Sequence, residues 1–274
     1  VHAIALRSPT PSLPATLIEP SLDTPTRVVI AALIFVTGLF TGMDALRFGL
    51  EHASDVTIPD AILDRMERAS HLLWYLRSIL GAAIVPLGAR SSEARDLRLQ
   101  LGIFALILVA DWLIILQGQL VAGVALFMLV QLGWAYRHTR GLRAALRTPD
   151  RRRAFVRVAI GCGIAWIVAM ALLGPPLVEA GLLIPLAVYS LLLCVSLIAA
   201  YSTLAAGHFA RPRAKLVATG MTFFVLCDIT VGVGGAFANT ALGDAADATT
   251  GLFYGPALVL LALSTRSPEP RTAP

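Results

Sequence analysis

Eight stretches of roughly twenty apolar residues, parted by short polar breaks, run through this 274-residue chain. A helix needs about 20 such residues to cross roughly 30 Å of hydrocarbon. By that measure the runs fall at 28–48, 72–89, 99–117, 119–136, 155–173, 182–206, 215–236 and 250–264. The predicted fold class is all-α: a polytopic membrane helical bundle of about eight transmembrane helices. Breaks as tight as Gln117-Gly118-Gln119 and Gly174-Pro175-Pro176 predict antiparallel neighbours, because Gly and Pro close turns where a helix cannot continue. The chain is 57% apolar and 14% charged, against roughly 45–50% and about 25% for a soluble domain. No stretch is left for a separate water-soluble catalytic domain. The expected organisation is a flexible tail at 1–27, a single eight-helix domain at 28–264 and a second flexible tail at 265–274.

The net charge of +5 invites a nucleic-acid reading, but the positions of the 22 cations decide against it. Eighteen fall in alternate segments: the tail before span 1, the loops after spans 2, 4 and 6, and the C-terminal tail. The richest loop carries Arg137, Arg140, Arg143, Arg147, Arg151, Arg152, Arg153 and Arg157. The other loops hold only Arg47, Arg65 and Arg68. Cytoplasmic loops retain Arg and Lys, so both termini are expected in the cytoplasm, and the arginine-rich 137–157 loop is read first as a topogenic signal. Residues 1–26 carry five prolines and no signal-peptide core; with no targeting segment the expected location is a bacterial inner membrane. Between spans 1 and 2, Pro59 is followed by Asp60, Ile62, Leu63, Met66 and Ala69 at helical spacing, which predicts a short interfacial cap.

Three charges cannot be placed at a membrane edge: Arg77 in span 2, Asp111 in span 3 and Asp228 in span 7. Each lies 13 residues from its nearest inner cation, Arg90, Arg98 and Lys215 in turn, or roughly 20 Å along a helix. They therefore share one depth. A charge at the helix centre costs about 2.5–3.5 kcal/mol on insertion scales, so three at one level should face one another or a wet cavity. One arginine cannot neutralise two carboxylates; the arrangement leaves one ionised and one protonatable acid, the split that general acid/base chemistry requires. A structural salt bridge between spans 2, 3 and 7 is the plainer alternative. Gly220, Gly232, Gly234 and Gly235 around Asp228 are read as sites of close helix approach. Asp44, three residues before Arg47, is read as half of a local surface pair. Cys162, Cys194 and Cys227 sit in apolar runs and are read as packing residues.

Other catalytic signatures are missing. His2, His52, His71, His138 and His208 sit in tails, loops or span ends, and no two share a helix at ligand spacing. There is no Gly-x-Ser-x-Gly elbow and no phosphate-cradling loop. No metal and no other cofactor is expected. What remains is carboxylate chemistry, or no chemistry.

At this point the residues resemble the YhhN-like lysoplasmalogenase family, eight-span proteins that include enzymes hydrolysing the vinyl-ether bond of lysoplasmalogens. Ala110-Asp111, followed by Gly123, Phe127, Gln131 and Tyr136, is similar to the family's Gly-Asp ending and its Gly-x-x-x-Phe-x-x-x-His-x-x-Tyr helix, with Gln131 at the histidine. Thr222-Phe223-Phe224-Val225-Leu226-Cys227-Asp228 resembles its Phe-Val-x-Ser-Asp run, with Cys227 at the serine. Tyr189 with Ser196 and Ala200 looks like its span-6 tyrosine pattern, and Tyr254 through Ser264 like its last span, with Leu258 where glutamine is usual. The resemblance implies Asp111 and Asp228 as the catalytic residues. Arg77, Gln131, Tyr189, Ser196 and Tyr254 are the candidates for substrate binding or charge balance. It also implies membrane lipids as partners, with a lysophospholipid substrate of the ethanolamine or choline type and no nucleic acid. In the expected reaction one aspartate protonates the vinyl ether while the other, ionised beside Arg77, steadies the cation and orients water. Alternatives from other classes are a lipid-binding protein or proton-coupled transporter using the same acids, and a member that keeps the fold without activity.

Overall fold

In the computed structural model, residues 22–51, 59–88, 94–179, 181–238 and 240–266 are described. Nine α-helices follow one another: α1 (Thr24–Glu51), α2 (Asp60–Leu87), α3 (Ala94–Asp111), α4 (Leu120–Thr139), the single-turn α5 (Leu142–Ala145), α6 (Pro149–Glu179), α7 (Leu183–Ala205), α8 (Arg211–Ala236) and α9 (Ala241–Leu263). All but α5 are long and apolar enough to cross a membrane, as the hydropathy pattern predicts. No strand occurs among the described residues. Several sequence expectations fall elsewhere: residues 1–21 and 267–274 of the tails, His2, His52, Arg7, Arg90 and Arg271 lie outside the described residues.

Several boundaries differ from the expected ones: α9, expected from 250, begins at Ala241, and α3 and α6 start at Ala94 and Pro149, before the expected 99 and 155. The predicted interfacial cap is not a separate element. Ala69-Ser70-His71 contains no Gly or Pro to break it, so α2 runs unbroken from Asp60 through Leu87. Its 28 residues make roughly 42 Å of helix, more than the hydrocarbon requires, and the surplus stands beyond it. Nor does α6 end at Gly174-Pro175-Pro176; it continues through both prolines to Glu179. Each proline removes one amide donor without imposing a turn. The helix stops one turn later at Gly181, whose φ of 68° is left-handed, with the Leu182 amide bonding back to the Leu177 carbonyl at 3.0 Å. Gly118, with φ 65°, closes the α3–α4 turn as expected. There α3 passes into one π-helical turn, Trp112–Leu116, directly after Asp111; π turns recur at functional sites.

The core lies among α2, α3, α4, α7, α8 and α9, with Trp134, Phe104, Phe224, Met221, Ile84, Ile107 and Leu258 fully buried. Helix α6 is peripheral: Leu177 is its one buried residue. Outward-facing leucines, isoleucines and valines such as Ile34, Ile167, Leu172 and Ile184 form the apolar exterior that suits a bilayer. The pair α8 and α9 makes the most extensive contact. It depends on two of the four glycines singled out above: a Cβ on Gly220 would stand 3.1 Å from the Leu261 amide nitrogen, and one on Gly234 would strike Asp247. Gly232 and Gly235 make no such close approach, the first having only Leu173 near it and the second nothing. The three cysteines are free, Cys227 buried and the other two half-buried.

Candidate functional site

Helix periodicity builds the site. On α2, Ser70, Trp74, Arg77, Ser78 and Gly81 recur at the spacing of a single face. On α9, Asp247, Gly251, Tyr254 and Leu258 do the same. The two faces meet so closely that a Cβ on Gly81 would stand 2.9 Å from that of Leu258. Into this seam α3 delivers Asp111 as its last α-helical residue.

Asp111 is buried, and one of its oxygens, Oδ2, accepts hydrogen bonds from both Ser78 Oγ and Tyr254 OH. Asp228, on α8, is partly accessible and accepts a hydrogen bond from Tyr189 OH at 2.7 Å. Each acid thus has a tyrosine. The two tyrosines are joined by aromatic rings: Tyr254 lies 6.1 Å from Phe224, Phe224 6.0 Å from Phe127, and Phe127 6.5 Å from Tyr189, centroid to centroid. Because Ser78 adjoins Arg77 in sequence and bonds Asp111, the shared depth expected of Arg77 and Asp111 holds.

Arg77 is not seated as an ion-pair partner. Among the described residues no ion pair joins it to Asp111 or Asp228. Its guanidinium carbon lies 3.9 Å from the Phe40 ring centroid and 4.6 Å from that of Trp74, while Nη1 donates to the Gly251 carbonyl at 3.1 Å. The aromatic faces take the place assigned in the sequence to carboxylates, because a planar guanidinium stacks on rings as readily as it pairs. Its Nε and Nη2 make no hydrogen bond, and neither does the buried Trp74 Nε1.

Gln131 and Ser196 form a hydrogen-bonded pair, buried between α4 and α7. Ser196 stands seven residues beyond Tyr189, roughly 10 Å along α7, so this pair lies on the arginine-rich side of the acids. Asp44 does not stand on the surface: it is half-buried, accepts a hydrogen bond from Ser70 and lines a cavity. That cavity, of about 210 Å³, opens at the end of the bundle away from the arginine-rich loops, between α1, α2, α8 and α9. A second, almost wholly apolar cavity of about 670 Å³ lies between α1 and α9, lined by Leu33, Thr37, Leu252 and Pro256 among others.

Ser78, Trp74 and Phe40 are site residues that the sequence did not disclose. A helical serine or aromatic carries no signal of its own, although Ser78 could have been found by its place on the Arg77 face. A second group was missed altogether. Asp96, near the start of α3, accepts from Arg137 (Nη2 to Oδ2, 2.9 Å), Arg213 (2.6 Å) and Arg140 (3.4 Å). Arg137 also donates to Ser264. The first arginine of the 137–157 stretch is therefore wholly buried and structural, not a topogenic surface charge, because an unpaired acid at that helix end draws it inward. His208 joins this end, its Nε2 hydrogen-bonded to the His138 carbonyl at 2.7 Å, and burial holds it below the usual imidazole range.

Comparison with known proteins adds one match. The model of the YhhN family matches residues 71–265, from the second half of α2 to the end of α9. No curated protein and no solved structure matches.

Proposed function

The chain belongs to the YhhN family, the family of lysoplasmalogenases, and from that premise we propose that it is a membrane hydrolase of the vinyl-ether bond of lysoplasmalogen. The observation that carries the reading is the pair of membrane-depth carboxyls, Asp111 and Asp228, each held by a tyrosine and linked by a chain of aromatic faces.

Hydrolysis begins when a proton adds to the vinyl carbon not bonded to oxygen, leaving an oxocarbenium ion on its neighbour. Asp228, partly accessible and with a single O–H donor, is the proton carrier in this reading; giving up its proton makes it a carboxylate. Asp111 receives two O–H donors on one oxygen, an arrangement suited to an acceptor that holds no proton there. It stays ionised and, with the ring faces of Phe224 and Phe127, stabilises the cation. Water then adds to the oxocarbenium carbon and returns a proton to Asp228. The hemiacetal collapses to a fatty aldehyde and the glycerophospho-headgroup alcohol. The chain of the lysolipid fits the apolar cavity between α1 and α9, which begins at Leu252, beside Gly251.

The test is aldehyde release from ethanolamine and choline lysoplasmalogens by the purified protein and by Asp111→Asn and Asp228→Asn. Release by the parent, lost at least a hundredfold in either folded variant, is expected, the lower bound for a missing general acid or base. Aldehyde release at the parent's rate by either variant overturns the assignment. No release from the folded parent overturns the activity and leaves a non-hydrolysing member of the family.

A further inference from the structure

The cavity at the end of the bundle away from the arginine-rich loops has chemistry that the proposed reaction does not use. Its lining carries four carboxylates, Asp44, Glu67, Asp244 and Asp247, against one guanidinium, Arg47, and one imidazole, His71. Phe40 and Trp74 also line it, and the wholly buried guanidinium of Arg77 lies directly against both rings. Behind this lining three buried donors make no hydrogen bond: Arg77 Nε, Arg77 Nη2 and Trp74 Nε1. A buried charge with two unmet donors is costly unless something anionic answers it. No carboxylate of the described residues is ion-paired with Arg77.

The order of these groups along α9 is informative. Asp247, Gly251 and Tyr254 lie at i, i+4 and i+7, on one helix face. Gly251 holds Arg77 through its carbonyl, and a Cβ there would stand 2.9 Å from Arg77 Nη1. Asp247 is one turn, roughly 6 Å, to the cavity side of it, and Tyr254, which bonds Asp111, is about 4.5 Å to the other. From the cavity inward the sequence of charges is negative, positive, then the paired acids.

We propose that this cavity is the headgroup site for a zwitterionic lysophospholipid, with the phosphate held by Arg77 and Trp74 and the ammonium facing Asp44 and Asp247. A phosphodiester supplies the acceptor oxygens that the three donors lack. An ammonium two carbons further out meets the carboxylates. The glycerol on the other side of the phosphate then reaches toward Tyr254 and Asp111. The inference rests on reading the site as one that acts on a lysophospholipid, and it assigns the side chains that hold the headgroup.

Binding of saturated ether lysolipids, which have no vinyl bond to hydrolyse, tests it on the full chain in detergent by titration calorimetry. The probes are 1-O-alkyl lysophosphatidylethanolamine, the matching lysophosphatidylglycerol, which keeps the phosphodiester and lacks the ammonium, and chain-free glycerophosphoethanolamine. The parent is expected to bind the ethanolamine lipid about tenfold more tightly than the glycerol lipid, with the preference gone in Asp44→Asn/Asp247→Asn. Arg77→Met, and Trp74→Phe as the milder variant that keeps the ring, should weaken both lipids about tenfold or more. Equal affinity of the parent for the two lipids overturns the proposal, as does parent-like binding by folded Trp74→Phe and Arg77→Met. Equally tight binding of glycerophosphoethanolamine would assign the site to a soluble phosphodiester and overturn its lipid part. Tight, amine-selective binding without aldehyde release from the vinyl substrates overturns the hydrolase reading and leaves this one standing; the reverse overturns this one alone.

Discussion

Two hydroxyl groups converge on one oxygen of Asp111, and one converges on Asp228. Hydrogen bonds to a charged partner contribute about 1.5–3 kcal/mol each, so removing one should cost roughly tenfold or more in rate where it steadies the reacting carboxylate. Tyr254→Phe keeps the ring stacked on Trp74 at 5.3 Å and removes only the donor. Its aldehyde release is expected to fall by about one to two orders of magnitude with little loss of thermal stability. Tyr189→Phe should do the same through Asp228. Rates equal to the parent's in both would mean that the tyrosines pack and do nothing more. The acids themselves were legible in the sequence because a charge in a run of leucines has no cheap alternative to being buried with a purpose. Their hydroxyl partners were not, since Ser78 and Tyr189 cost little anywhere on a helix.

At the scale of helices, the bundle is tied together at its arginine-rich end. There, one carboxylate of Asp96 gathers arginines from α4, α8 and the link after α4, and Arg137 carries the tie on to Ser264 beyond α9. Breaking a buried pair by removing one partner costs roughly 3–5 kcal/mol, whereas replacing both by apolar residues of similar volume is often close to neutral. Asp96→Ala should therefore lower stability in detergent by about that amount, and Asp96→Leu/Arg137→Met should recover much of it. A double variant as unstable as the single one would show that the network is needed as a whole. Helix limits were less legible than helix existence. Pro175 and Pro176 look like a stop, yet the peripheral α6 passes through them, because a membrane helix tolerates proline where local adjustment satisfies the freed backbone groups. The α2 cap merged with its span for the converse reason: nothing between Met66 and Leu72 interrupts the helix.

Over the whole molecule, the cations and the cavity lie at opposite ends. The arginine-rich loops, through the positive-inside bias, give the orientation we propose, with both termini cytoplasmic and the headgroup cavity facing the other side. Single cysteines substituted at Gln119, in the α3–α4 turn, and at Arg152, at the start of α6, check it once the three native cysteines are removed. An impermeant thiol reagent added to intact cells is expected to label the first and spare the second; the reverse pattern would invert the molecule and place the cavity on the cytoplasmic face. The apolar periodicity, the loop charges and the isolated acids determined that this chain is an eight-helix membrane bundle with Asp111 and Asp228 inside its spans. Those are properties of single segments against a solvent, and a segment's free energy in hydrocarbon can be read one residue at a time. Which groups touch was decided only in three dimensions. Arg77 rests on Phe40 and Trp74, not on a carboxylate, Arg137 turns inward to Asp96, and Gln131 pairs with Ser196. Each of these depends on how neighbouring helices rotate and approach, and that is set by the packing of whole faces, which no single helix encodes.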